Sequence, residues 1–565
     1  MVLEVRRDVP QVSLGLAVGL TLLAALVSYA NVFPNAFVWD DEYFILTNRG
    51  LWDHADFREI FTTPVHNLYR PVRTLAYAAA YRLFGTEPLG YHANCLFWHT
   101  VNTLLVLLIG WRLFSPFVAL LSALLFAVHP VHTDRVTIMV GGFELFGEFF
   151  FLLALWLEVR ARRASPSAWL VFLVGVFTSE MTITLPAIVF LVHRFGRGRS
   201  RASALKRALP FAGIALFFLY VRFFVVHVGA RVGGYPEGSF PRTMLTMLEV
   251  FARYWGLLLY PHGLRAIYEI PLVRGFSLPL LFSGILHVGL LVGAWMAARR
   301  GISTLTLGIL WVYTALLPVS NLVPTGTLMA ERYLYLASVG FCWIFGDLTA
   351  RIWRRSRPDR GIVAITVTGL LILFSLATMK RNTVWRSSFT LWQDTIRKSP
   401  TSAIAHNNLG NAYRRKGEKT GNVGMIRRAI EEHERALELD PTFLTAASNL
   451  GNDYLTLGDL DAAERYFQRA VALAPELAVA HYNLALTRFK RGALAEARVP
   501  AERAVELAPR EKDYRLLLAR LLDRLGEVAS ACRHYAIYLS LERGATPNRR
   551  AAERRLEALS CSLSE

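Results

Sequence analysis

The sequence predicts an all-α protein in two parts: a polytopic membrane domain, then an α-solenoid of short helical repeats. Three observations carry that prediction. Of the 565 residues, 54% are hydrophobic and only 19% charged. Apolar runs of bilayer-spanning length recur up to Lys380, and a 34-residue periodicity takes over beyond it. A helix needs about 20 apolar residues to cross the hydrocarbon core, and water-soluble domains of this size carry more charge than this.

In chain order, the apolar runs fall at 11–33, 92–113, 116–133, 136–158, 208–226, 277–298, 303–323, 333–353 and 361–379. The stretch 168–193 is apolar but broken by Glu180 and has arginines at both flanks, so it reads as two short spans turning at Thr178-Ser179-Glu180. Segment 243–260 is apolar too. As a span it would put Arg299 and Arg300 across the bilayer from the other basic loops, so it reads as re-entrant or interfacial. The total is about eleven spans, with the N-terminus cytoplasmic and the C-terminus outside.

Charge supports that orientation. Of the net +19, residues 1–380 hold +13 (33 Lys+Arg against 20 Asp+Glu) and residues 381–565 hold +6. The excess sits in short clusters between apolar runs: Arg160 to Arg163, Arg194 to Arg207, Arg299-Arg300 and Arg351 to Arg360. Such clustering marks cytoplasmic loops. No nucleic-acid partner is expected, because no basic face interleaved with aromatics accompanies the charge.

Beyond Lys380, Leu450-Gly451, Tyr454, Gly458, Ala463, Phe467, Ala470 and Pro475 form a tetratricopeptide repeat. Small residues stand where two helices touch, an aromatic fills the gap between them and proline stops the second helix. Copies follow at Leu484 to Pro509 and Leu518 to Tyr535, and one precedes at Leu409 to Pro441 with about seven extra residues near Lys419 to Met425. The expected boundaries are a membrane domain at 1–380, a connecting half repeat at 381–402, four repeats at 403–546 and a capping helix and tail at 547–565. Stacked repeats bury a continuous core and leave a groove suited to an extended peptide. The four cysteines show no paired spacing, so neither a zinc site nor a disulfide is expected.

Candidate chemistry gathers on the side opposite the arginine-dense loops. Asp40, Asp41 and Glu42 follow the first span, at a depth where a lipid-facing charge costs several kcal/mol. Such a carboxylate can act as general base toward a hydroxyl, with a solvated loop start or a helix cap as the plainer role. Arg70 and Arg73 lie further along the same loop, and Glu331-Arg332 open a later span; guanidinium groups suit bidentate phosphate contact. His129, His132 and Asp134 occur between the third and fourth spans. One acid beside HxxH leaves a divalent metal open without requiring it, and Pro130 argues against a regular helix presenting both rings. Glu180 falls on the same side. Glu144 and Glu148, just after Gly141-Gly142, read as buried, protonated or paired with arginine.

In order and spacing, "FVWDDEYFILTN", "YRPVRTL", "HPVHTDRV", "LLPVSN" and "AERYLYLASVG", followed by "RNTVWRSSFTLWQDTIRKSPTSAIAHNNLGNAY", resemble the transmembrane and tetratricopeptide-repeat O-mannosyltransferases and their bacterial relatives. That resemblance implies a C-type glycosyltransferase fold taking a hexose, mannose by default, from a polyprenyl-phosphate donor on the outer or luminal face. It implies catalytic Asp40 and Asp41, with Asp40 as base toward a Ser or Thr hydroxyl. It places Arg70, Arg73, His129, His132, Asp134, Glu180, Glu331 and Arg332 among donor-phosphate and substrate contacts, with the repeats receiving a protein acceptor. Asp134 stands where relatives often carry Glu. Phe143 replaces an arginine and Ser179 a lysine, so two basic donor-side positions differ from the family pattern. The expected setting is a bacterial inner membrane with periplasmic repeats, or an endoplasmic reticulum membrane with luminal repeats. The competing readings are a membrane-anchored repeat scaffold and a lipid-linked-sugar transporter or glycan ligase.

Overall fold

The computed structural model describes residues 9–47, 57–62, 64, 68–228, 234–356, 358–542 and 544–559, and every regular element among them is helical. The chain divides into two compact units, Met1–Lys398 and Ser399–Glu565.

Among the described residues of the first unit, seven helices are long and apolar enough to cross a membrane: Leu14–Val32, Pro88–Leu113, Met139–Arg160, Arg201–Val225, Leu278–Arg299, Glu331–Arg355 and Arg360–Val384. An eighth is broken, with Pro116–Val128 and Pro130–Val136 meeting at 51°. Pro130 has no N–H to continue the first helix, and the His129 ring accepts the freed Val131 N–H at 3.4 Å. Pro166–Val176 and Ser303–Val319 are shorter apolar helices. The break in the stretch 168–193 falls at Phe177 to Ser179, where Ser179 Oγ accepts the Met181 N–H. Segment 243–260 forms an amphipathic helix, Phe240–Leu259, with Thr243, Met247, Val250, Tyr254 and Leu258 buried along one face. Burial sorts the long helices into inner and outer. The apolar window of Glu331–Arg355 is 78% buried and that of Arg360–Val384 only 11%.

The first unit is closed by its own two ends. Ser28 Oγ meets Ser375 Oγ at 2.7 Å, Asn31 donates to the Met379 carbonyl, Asn35 to that of Asn382, and Asn382 back to that of Ser28. Helix Ser388–Lys398 belongs here rather than to a half repeat. Its amphipathic pattern resembles a repeat helix, but Trp392 packs on Trp39, Asp394 pairs with Arg381 at 2.8 Å and Ser388 donates to Glu42.

The second unit contains four helix pairs, from Ala403–Thr420 with Val423–Leu439 to Lys512–Arg524 with Val528–Leu541, and a final helix Pro547–Ala558. The extra residues of the first repeat lengthen its helices to 18 and 17 residues, against 14 in each helix of the second. A Cβ on Gly451 would lie 2.6 Å from the Phe467 ring, so a larger residue here would have to displace that ring. In the first repeat His433 replaces that aromatic, and its ring is held between Asp453 at 2.5 Å and the Asn407 carbonyl at 3.1 Å. Cys95 and Cys342 are free and buried, but Cys532 is disulfide-bonded, contrary to the expectation of no disulfide. Spacing carries no signal for a bridge whose partners meet through tertiary structure.

Phe467 is fully buried between helices, so Phe467→Ala should cost about 3–5 kcal/mol. Limited proteolysis of the full chain should then cut the repeat unit at markedly lower temperature, while fragments of the membrane unit persist unchanged.

Candidate functional site

The site is built around Arg70. A residue before proline is driven to extended backbone, and Arg70 (φ −140°) turns into the first unit as Pro71–Phe84 begins. One turn later, Arg73 lies on the same face. Both guanidinium groups bond Glu144 of helix Met139–Arg160, and Arg70 also bonds Glu180, just past the break at Phe177 to Ser179. Ser179 Oγ donates to the second Glu144 oxygen at 2.9 Å. Burial opposes the charge on Arg70, but two carboxylates outweigh it and raise its pKa above the ordinary arginine value. Arg73, sharing one carboxylate and repelled by Arg70, is held below that value, mainly by burial.

These groups line one wall of a cavity of about 380 Å³. Asp40, Asp134, Arg135, Arg222 and Arg332 also face it, and Leu219, Phe223, Val319, Val323 and Pro324 form much of the rest. Asp134 Oδ2 accepts the Arg332 backbone N–H at 3.2 Å and lies 3.6 Å from its guanidinium. Arg135 is 3.4 Å from Glu148.

The three consecutive acids separate. Asp40 lines the cavity. Asp41 is fully buried, accepting the Val140 N–H at 2.7 Å on one oxygen and the Val38 N–H at 3.4 Å on the other. It therefore caps helix Met139–Arg160, the plainer of the roles weighed for this segment. Burial pushes its carboxyl up to about 8 against the pull of the Val140, Met139 and Val38 N–H groups, and Asp40 adds to the rise. Glu42 accepts from Ser388 at 2.9 Å. The divergence begins at Trp39, whose left-handed backbone (φ 52°) is costly for a bulky residue. Trp385 and Trp392 hold its ring at centroid distances of 6.5 and 5.4 Å, and the Arg332 guanidinium covers it at 5.4 Å.

Of the residues singled out from sequence, Asp40, Arg70, Arg73, Asp134, Glu180 and Arg332 come together at the cavity. His129 and His132 are buried away from its lining. His129 bonds the Leu258 carbonyl at 2.9 Å, and His132 bonds the Phe126 carbonyl at 2.9 Å and Ser338 Oγ at 2.8 Å. With Asp134 turned to Arg332, they do not converge. Among the described residues no three His, Cys, Asp or Glu side chains form a metal-binding group. Glu331 also points away. It accepts from Tyr268 at 2.8 Å and from the Arg265 backbone, with Arg381 3.8 Å away. Phe143 packs on Tyr77 at 3.9 Å. Arg135 and Arg222 join the cavity as well; the sequence signals only Arg135, by its place inside a motif already rich in polar groups.

Tetratricopeptide-repeat family models match residues 403–441 and 448–506. A protein O-mannosyl-transferase of Caenorhabditis elegans is 27% identical over 453 residues, covering 74% of this chain and 62% of that protein. The Homo sapiens protein O-mannosyl-transferase TMTC3 is 27% identical over 509 residues, covering 79% of this chain and 54% of the relative. The chain thus spans somewhat over half the length of the curated relatives it matches. The crystal structure of YrrB, a TPR protein with an unusual peptide-binding site, is 23% identical, covers 29% of this chain and 84% of that one, and has a TM-score of 0.26.

Arg70→Met leaves the buried Glu144 and the partly exposed Glu180 short of a partner, and losing one member of a buried ion pair costs about 3–5 kcal/mol. The variant should melt well below wild type in detergent, and equal melting temperatures would contradict the pairing. Asp41 yields a second expectation, for pH. With its folded pKa raised from 3.8 to about 8, the folded chain keeps a proton that the unfolded chain releases. Its contribution to stability is therefore full below about pH 4 and is lost as pH rises to about 8. Asp41→Asn should flatten that decline, measured as melting temperature against pH.

Proposed function

We propose that this chain, whose curated relatives are protein O-mannosyl-transferases, is a membrane glycosyltransferase. In this reading it moves a hexose, mannose by resemblance, from a polyprenyl-phosphate donor to a Ser or Thr hydroxyl of a protein acceptor. The observation that carries the reading is one cavity lined by Asp40 together with five arginines.

A nucleophile, a base and a departing anion must meet at the anomeric carbon. The acceptor oxygen attacks that carbon as Asp40 takes the hydroxyl proton, and the bond from carbon to phosphate oxygen breaks with its electron pair on the phosphate. The configuration inverts. Phosphate is already a good leaving group, and fixed positive charge stabilises it further as it departs, without a second acid. Asp41 is unsuited to be the base, since its oxygens are spent on backbone N–H groups and burial keeps its proton on at neutral pH. Its part is to hold the turn that presents Asp40.

Orientation is part of the proposal: the cavity opens to the non-cytoplasmic side, opposite the arginine-dense loops. The disulfide of Cys532 supports an oxidising compartment for the repeat unit. There the repeats receive the acceptor polypeptide.

Asp40→Asn should lower sugar transfer from a synthetic polyprenyl-phosphate mannose to a Ser/Thr peptide by about 10²–10⁴-fold, with the melting temperature kept. Undiminished transfer by the folded variant would refute the base assignment. A wild type that consumes no lipid-linked sugar would favour a scaffold instead.

A further inference from the structure

A second cavity, of about 480 Å³, shares a wall with the first. Thr325, Thr327, Arg332 and Tyr333 line the cavity that holds Asp40, but Met329, between them in the chain, lines the other. Segment 325–333 is therefore a partition. It is braced from the side of the second cavity: the Ala330 N–H donates to the Tyr254 hydroxyl at 3.1 Å, and the Tyr268 hydroxyl donates to Glu331 at 2.8 Å. Tyr268 itself borders the second cavity. Glu331, which turns away from the first cavity, thus joins the partition to the lining of the second.

The lining has the chemistry of a side-chain pocket. Leu257, Ile270, Met329 and the Tyr268 ring give an apolar interior, and Arg253, His262 and Glu269 are exposed around it. The His262 ring is stacked on that of Tyr260, with centroids 5.5 Å apart. Charges of both signs at the opening are out of place against hydrocarbon and suit a water-borne ligand with polar groups of its own. Gly256 keeps the space open. A glycine within a helix weakens it, and a Cβ there would meet nothing within 4 Å, so packing does not require one. A sugar would bring hydroxyls to a floor whose one phenol is already spent on Glu331. An apolar interior under a polar opening instead matches one apolar side chain of a polypeptide, whose main chain stays among the charged groups.

We infer that this second cavity takes an apolar side chain of the acceptor polypeptide, a few residues from the hydroxyl that enters the first, and so selects acceptors by sequence. That the same polypeptide carries the accepting Ser or Thr rests on the function proposed above. From Met329 to Arg332 the partition measures at most about 11 Å along the chain. An extended acceptor, at about 3.4 Å per residue, then needs roughly three to six residues to pass from one cavity to the other. Gly256, Ile270 and Met329 are specificity determinants in this arrangement, not catalytic residues.

The test reads binding separately from transfer, on the purified full chain in nanodiscs. Fluorescent Ser/Thr peptides with a single leucine moved through the positions flanking the hydroxyl, in an alanine background, are titrated by anisotropy without donor. The same peptides are then assayed for transfer from polyprenyl-phosphate mannose. Leucine at one position, roughly three to six residues from the hydroxyl, should lower Kd and KM about tenfold relative to alanine, the gain expected on burying such a side chain, with kcat unchanged. In Gly256→Leu, whose new side chain fills the space, that ratio should fall from about ten to about one. A photo-leucine at the preferred position should label the segment 253–270 or Met329. No preferred position in wild type, or a ratio kept in folded Gly256→Leu, would overturn the pocket. A raised donor KM with an unchanged peptide ratio in that variant would overturn it too, assigning the cavity to lipid. Should Gly256→Leu fail to fold, the wild-type scan and the photo-label still decide. A wild type that binds peptides with this preference yet transfers no sugar would remove the transferase reading and leave the pocket standing. Transfer without any leucine preference would do the reverse.

Discussion

Charge buried in a medium of low dielectric must be neutralised locally, and in the first unit that constraint is met where Arg70 joins Glu144 and Glu180. The desolvation of each group is severe, and only mutual attraction with well-formed hydrogen bonds offsets it. Because the carboxylates come from helix Met139–Arg160 and from the turn after Ser179, while the arginines come from the start of Pro71–Phe84, the network fixes three separate elements relative to one another. The cavity is lined in part by those three elements, with Asp40, Arg222, Val319 and Arg332 contributed by others. Its polarity follows from the bonds that define its wall, so shape and electrostatic character have one origin.

The same economy explains why three neighbouring acids do different work. A carboxylate bonded to backbone N–H groups at a helix start is a fastening, and Asp41 is one. A carboxylate reaching a hydroxyl on another helix is a tie, as Glu42 is to Ser388. Asp40 alone of the three lines the cavity. The local cost of the left-handed Trp39 backbone is offset by the packing of its ring.

Much of this was legible in the residues, for reasons that also mark where legibility ends. The repeats were plain because each places Gly or Ala, an aromatic and Pro at a fixed period, so local sequence fixes local packing. Long apolar runs likewise announced the membrane helices. The phase of a short turn was not legible. Glu331 and Arg332 are adjacent, yet one faces Tyr268 and the other the cavity, and only tertiary contacts decide which. His129 and His132 look like ligands in a string, but backbone carbonyls take up their rings: that of Phe126 in the broken helix for His132 and that of Leu258 near the end of helix Phe240–Leu259 for His129. Arg222 was hidden inside an apolar run, where hydropathy averages over a helix and cannot report which side one residue takes. Ser388–Lys398 was assigned by its repeat-like pattern, whereas Trp392 and Asp394 bond within the membrane unit.

The joining of residues 28–42 to residues 375–392 has a consequence for biogenesis. The hydrogen bonds that close the first unit span 347 to 354 positions of sequence. At a synthesis rate of about 5–20 residues per second, the first helix waits on the order of 20–70 seconds for its partners to emerge. Throughout that interval Trp39 lacks the two tryptophans that hold its ring, so Asp40 cannot yet be held in its final direction. Insertion can begin at the N-terminus, but the pocket is completed only when the last membrane helix and the short helix after it have been made.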